Sequence, residues 1–219
     1  MLTLSLEKPG SRPAPKLRLS LNKGAKFSVQ IAWDCAADHQ DDLDIHALEA
    51  ANDGNGAKVT SLEQVLSTYN TRKMSPQTGV LPTAPDGSFA TPSGGLRHSG
   101  DVRIQGQESE TITIDGSKLP DGINEIPLFA TVHKADHGVG HEDGDESEEE
   151  AAFADIERCT VTISSEDGTE LGSYQLSQEF GEFNVVQLGS LMLDRSGWAY
   201  APVGRGFTGT INDVLTHFS

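Results

Sequence analysis

Ile31-Ala-Trp-Asp34, a polar turn, and then Asp41-Asp-Leu-Asp-Ile-His46 set the reading of the whole chain. Phe27, Val29, Ile31 and Trp33 alternate with polar or small residues. That period puts them on one face of a β-strand, predicted to end at Asp34. A second strand is predicted from Asp42, with Leu43, Ile45 and Ala47 on one face and Asp42, Asp44 and His46 on the other. Two carboxylates on one strand face repel unless water, a base or a cation stands between them. The pair is therefore either a solvated strand edge or half of a site for a hard cation.

Outward from this centre the same alternation recurs. Leu2-Thr-Leu-Ser-Leu-Glu-Lys8 and Leu17-Arg-Leu-Ser-Leu-Asn-Lys23 are near copies, and each predicts a short strand. Ala51 to Gly56 is a turn rich in Asn, Asp and Gly. Ser61-Leu-Glu-Gln64 has the form of a capping box and predicts a short helix, or a helix running into a strand. From Thr71 to Arg97, Pro76, Pro82, Pro85 and Pro92 with Gly79, Gly87, Gly94 and Gly95 predict a long loop. Strands resume at Ile112 and Ile114, turn at Leu119-Pro-Asp-Gly122, and continue from Ile126 to His133. Pro127 places that strand's start at an edge, an end or a bulge.

Cys159–Ser164, Leu171–Leu176, Val185–Leu193 and Trp198–Ala201 predict further strands, with hairpin turns at Glu166–Thr169 and Asp194–Gly197. Ile211, Val214, Leu215 and Phe218 form one helical stripe opened by Thr210. Many short strands and one terminal helix predict a mainly all-β fold, a two-sheet β-sandwich with a short C-terminal helix. Residues 1–219 read as a single domain with two long loop insertions, 71–97 and 138–150. Neither is predicted to supply much apolar area, so both read as mobile contact loops that the core does not need.

The chain carries 33 acidic against 16 basic residues, a net charge of −17 over 219 residues. Such a surface repels nucleic acid and anionic membrane and attracts cations or a basic partner. No apolar run approaches a membrane span, and the first residues lack the features of an export signal. The expected location is cytoplasmic. Two cysteines are too few for a disulfide framework. Cys159 alternates in phase with Val161 and Ile163, as a buried core thiol would.

No nucleophile arrangement and no phosphate-binding glycine loop is present, so no enzymatic activity is expected. His133, His137 and His141 are spaced as zinc ligands on a helix would be, but Gly138 and Gly140 oppose that helix. The series reads as chance. Residues 141–150, His-Glu-Asp-Gly-Asp-Glu-Ser-Glu-Glu-Glu, are too charged to fold alone.

The order of these pieces resembles the TerD-type tellurite-resistance family, a stress-response calcium-binding family. The matching segments are Ile31-Ala-Trp-Asp34, Asp42-Leu-Asp-Ile-His-Ala47, His98-Ser-Gly-Asp101, Glu110-Thr-Ile-Thr-Ile-Asp115 and Trp198–Phe207, in that order. The resemblance implies a two-sheet β-sandwich that carries calcium in acidic loops at one end. It also implies a role in resistance to tellurite, other stresses and phage, with no firmly attached enzymatic activity. In the family's main calcium loop, Asp101 and Glu110 match and Glu108 stands where an Asp is usual. Val102 replaces an Asn, Ser109 replaces an Asp, and the loop is shorter, so it is a partly degraded version of the family's loop.

The expectation that follows is a non-enzymatic, calcium-binding stress protein with Asp42, Asp44, Asp101, Glu108 and Glu110 as metal ligands. The alternative is a structural or interaction protein of an assembly, such as a phage virion component, without tight calcium binding. It would meet protein partners through 71–97 and 138–150, as an oligomer or within a larger assembly.

Overall fold

The computed structural model describes residues 3–5, 16–35, 41–100, 102–104, 107–134, 152–176 and 180–219. In chain order the strands begin with β1 (Thr3–Ser5), β2 (Leu17–Leu21), β3 (Lys26–Cys35), β4 (Asp41–Leu48), β5 (Ala51–Asn52) and β6 (Ala57–Lys58). Next come β7 (Val65–Leu66), β8 (Phe89–Ala90), β9 (Leu96–His98), β10 (Val102–Ile104), β11 (Gln107–Asp115) and β12 (Glu125–Lys134). The last are β13 (Ile156–Ser165), β14 (Glu170–Gln175), β15 (Val185–Asp194) and β16 (Gly197–Phe207), followed by the helix α1 (Ile211–Leu215).

All of the strands except β5 and β6, which pair with each other, form two large sheets. The first runs β1-β14-β13-β3-β11-β9-β8, with β10 paired to β11; the second runs β2-β16-β15-β12-β4-β7. Pairing is antiparallel apart from β1, which lies parallel to β14. The two near-copy segments at the N-terminus thus feed different sheets. This is the predicted all-β architecture, and the quoted centre of the sequence supplies one inner strand of each sheet.

Alternation fixes which side chains meet. Phe27, Val29, Ile31 and Trp33 of β3 are buried in one cluster with Leu43, Ile45 and Ala47 of β4, Ile112 and Ile114 of β11, and Val161 and Ile163 of β13. Large apolar side chains removed from water contribute about 1.5–3 kcal/mol each, which is what holds the sheets face to face. Cys159 joins this cluster as a free, buried thiol, as predicted. Pro127 pairs only with β15, because pairing with β4 starts at Leu128, beside a bulge. Its missing N–H therefore leaves the β4 ladder intact.

The outer face of the second sheet has its own cluster. Leu48, Val65, Phe129 and Val185 are covered by Ile211 and Val214 of α1, and Phe218 meets Phe129 edge-on at 5.5 Å between ring centroids. The predicted helix is shorter than its stripe: it is α-helical over Ile211–Leu215 and continues as a tighter turn over Thr216–Phe218. Thr210 and Asp213 form a reciprocal capping box that starts it. The capping box at Ser61 likewise opens only a single 3-10 turn, Leu62–Gln64, which runs into β7.

The segment 71–97 departs from expectation. Its prolines and glycines do limit it to turns and the short β8 and β9, but Leu81, Phe89 and Leu96 belong to the main core. Buried Asn70 anchors it, donating from its amide to the carbonyls of Leu62 and Val65 while its own carbonyl accepts from Val80 and Leu81. Three apolar anchors spread through irregular backbone give no periodic signal, which is why the sequence reads as a dispensable loop. The segment is part of the core. The second predicted insertion, 138–150, lies outside the described residues, as do His137 and His141.

Candidate functional site

Strand β4 turns Asp42, Asp44 and His46 onto the outer face of the second sheet, opposite His133, Thr131 and Phe129 of β12. Register therefore puts a base beside the two acids. His133 Nε2 lies 3.8 Å from an Asp42 carboxylate oxygen, and its Nδ1 lies 3.4 Å from one of Asp44. Asp44, only 5% exposed, also accepts a 2.8 Å hydrogen bond from the Thr68 hydroxyl. Of the separators that the paired acids demand, the fold supplies an imidazole.

The surroundings are tuned by burial. His46 is fully buried, with Nε2 2.9 Å from the Thr131 hydroxyl. Burial first, and His133 second, lower its pKa to about 3, so it stays neutral. Tyr69 leans against His46 at 5.9 Å. Burial and then the Asp44 charge push its phenol up to about 12.

Glu110 sits elsewhere relative to β4. It lies opposite Ile31 on β11, is 3% exposed, and accepts the Ile45 backbone N–H at 2.7 Å. The reason is topological: β7 pairs with β4 only at Ala47 and Leu48, which leaves the Ile45 N–H without a strand partner. His98 completes this corner, with Nε2 3.2 Å from the same carboxylate oxygen. Its Nδ1 accepts from the Gly100 N–H at 3.0 Å, so the ring proton is on Nε2 and is donated to Glu110. Phe89 stacks on the ring at 4.6 Å. Gly100 has φ of +78°, and a Cβ there would press on the backbone of Gly87, so glycine is required for this hydrogen bond.

Of the five expected metal ligands, the structure places Asp42 and Asp44 together around His133 and Glu110 beneath Ile45. Asp101 lies outside the described residues, and of Glu108 only the backbone, opposite Trp33, is described. Among the described residues no three His, Cys, Asp or Glu side chains converge as a metal site. The oxygen donors of Asp42 and Asp44 are of the kind a hard cation takes, but calcium needs about six to eight oxygens.

Sequence reasoning missed His133, which it set aside with a chance histidine series. Alternation puts it in phase with Thr131 and Phe129, but only the register of β12 on β4 brings that face to Asp42. Glu49, a second buried acid on this part of the chain after Asp44, was also missed. Its carboxylate accepts from Thr91 and Ser93 at 2.6 Å each and so ties the 71–97 segment to the end of β4.

Fold and site together define a class: a two-sheet β-sandwich whose outer strand face carries a pair of acids bridged by histidine. The chain belongs to the TerD domain family, whose model matches residues 14–218. It is similar to the uncharacterized protein YceE of Bacillus subtilis (strain 168), 28% identical over 130 residues, which are 58% of this chain and 62% of YceE. It is also similar to the chemical-damaging agent resistance protein B of Clostridium acetobutylicum, 25% identical over 58% of this chain and 85% of that protein. A solved structure, a homologue of the telluride resistance protein TerD from Streptomyces coelicolor A3(2), superposes with a TM-score of 0.55. At 18% identity, over 87% of this chain and 95% of that one, it speaks for the fold alone. Among the described residues no helix is long and apolar enough to cross a membrane.

Proposed function

We propose that this chain is a non-enzymatic stress-resistance protein that binds calcium through Asp42 and Asp44. The single observation behind this reading is the pair of carboxylates held on one strand face around His133. A divalent cation supplies positive charge there and relieves the repulsion of the two acids. Asp101 and Glu108 provide further oxygens, while Glu110 stays committed to the backbone of Ile45. A resistance role is supported by the name of the Clostridium acetobutylicum relative and by the family itself.

The test is thermal unfolding of chelator-stripped protein at constant ionic strength, with calcium or magnesium titrated in. Binding to the folded chain alone raises stability by about 2.7 kcal/mol at a hundred times Kd. Calcium is expected to raise Tm, and Asp44→Asn to abolish the rise. A Tm indifferent to millimolar calcium overturns the reading.

A further inference from the structure

A cavity of about 540 Å³ opens beside the acid pair, between the Leu62–Thr78 segment, the end of β12 and α1. Its volume is that of a pocket for a small organic molecule. His133 and Thr131 form part of its wall, Ile211 and Leu215 of the helix another part, and Asn184 and Asn212 bring amide groups. Among the described residues no Lys, Arg, Asp or Glu lines it.

A second observation concerns the rim. Among the described residues, large apolar side chains are exposed only at Leu62, Tyr69, Met74 and Val203. Leu62 and Tyr69 both belong to this cavity. Tyr69 leans on the buried ring of His46 at 5.9 Å, which backs its own ring from behind.

We infer that this cavity is a binding site for an uncharged small molecule with one flat apolar face and a hydrogen-bonding edge. The flat face lies against Tyr69, Leu62 and Ile211. The edge meets the amides of Asn184 and Asn212 and the hydroxyl of Thr78. Among the described residues an anion finds no basic side chain in the lining, and it has Asp42 and Asp44 behind His133. Among the described residues an ammonium finds no carboxylate in the lining to compensate its desolvation. The site is separate from the calcium reading and stands or falls without it.

The experiment uses three probes of matched shape: benzamide, benzoate and benzylammonium. Each is titrated into isotope-labelled full-length protein, with chelator present, while backbone amide resonances are followed. Benzamide is expected to shift Tyr69, Thr78, His133 and Asn212 saturably, and benzoate to leave them in place. Tyr69→Ala should weaken benzamide at least five-fold, and Thr78→Trp, which fills the mouth, should abolish its binding. Asn212→Trp replaces that variant if its melting curve shows misfolding. Equal or tighter binding of either ion overturns the inference, as does benzamide binding that survives a folded, blocked variant. Absence of benzamide shifts at these residues overturns it too, and leaves the calcium titration untouched.

Discussion

At the scale of single residues, the most informative side chains are acids doing backbone work. Glu110 takes the Ile45 N–H, which no strand reaches, and His98 steadies it. Removing the carboxylate leaves a buried donor unpaired, at a cost of about 1–3 kcal/mol. Glu110→Ala is expected to lower stability by that amount in urea unfolding, and Glu110→Gln, which keeps an acceptor oxygen, by less. Cys159 shows the opposite case, a group silenced by its surroundings. Burial raises its thiol from 9.0 to about 12. The folded chain therefore holds the proton where the unfolded chain has lost it. Its contribution to stability is complete below pH 9.0 and is lost as pH climbs towards 12. In a Cys35→Ser background, native Cys159 is expected to resist iodoacetamide at pH 8 and to react once unfolded. Cys159→Ala should flatten the alkaline fall in stability by up to about 1.4 kcal/mol per pH unit.

At the scale of elements, the segment between β7 and β9 carries the main correction to the sequence reading. It is poor in regular structure yet places Leu81, Phe89 and Leu96 in the core and is hydrogen-bonded through Asn70 and Glu49. Leu81 is fully buried. Truncating such a leucine removes its transfer energy and leaves a cavity, together about 2–5 kcal/mol. Leu81→Ala is therefore expected to lower the chemical denaturation midpoint by that equivalent, with the slope unchanged. A change below half a kilocalorie would restore the dispensable-loop reading.

At the scale of the molecule, a net charge of −17 makes the folded state repel itself. Screening falls to about 10 Å at 0.1 M salt, so sodium chloride should relieve part of that repulsion without any site. Raising it from 20 to 300 mM (about a fourfold shortening of the screening length) is expected to raise Tm in wild type and Asp44→Asn alike. Calcium at fixed ionic strength should separate them. Equal calcium responses in the two proteins would assign the effect to general screening.

The sequence alone determined the β-sandwich, because alternation in Phe27–Trp33, Leu43–Ala47 and Ile112–Ile114 depends only on local period, and a slip of one residue would expose the whole set. It also determined the buried thiol and the pairing of Asp42 with Asp44 on one face. Tertiary structure alone decided what stands between those acids, since His133 reaches them through the register of β12 on β4. It alone decided that Glu110 turns to the backbone of Ile45, because that depends on where β7 stops. The anchoring of 71–97 was likewise invisible: isolated Leu81, Phe89 and Leu96 acquire meaning only when two distant sheets close over them. Local period is written in neighbouring residues, whereas register and closure are settled between residues far apart in the chain.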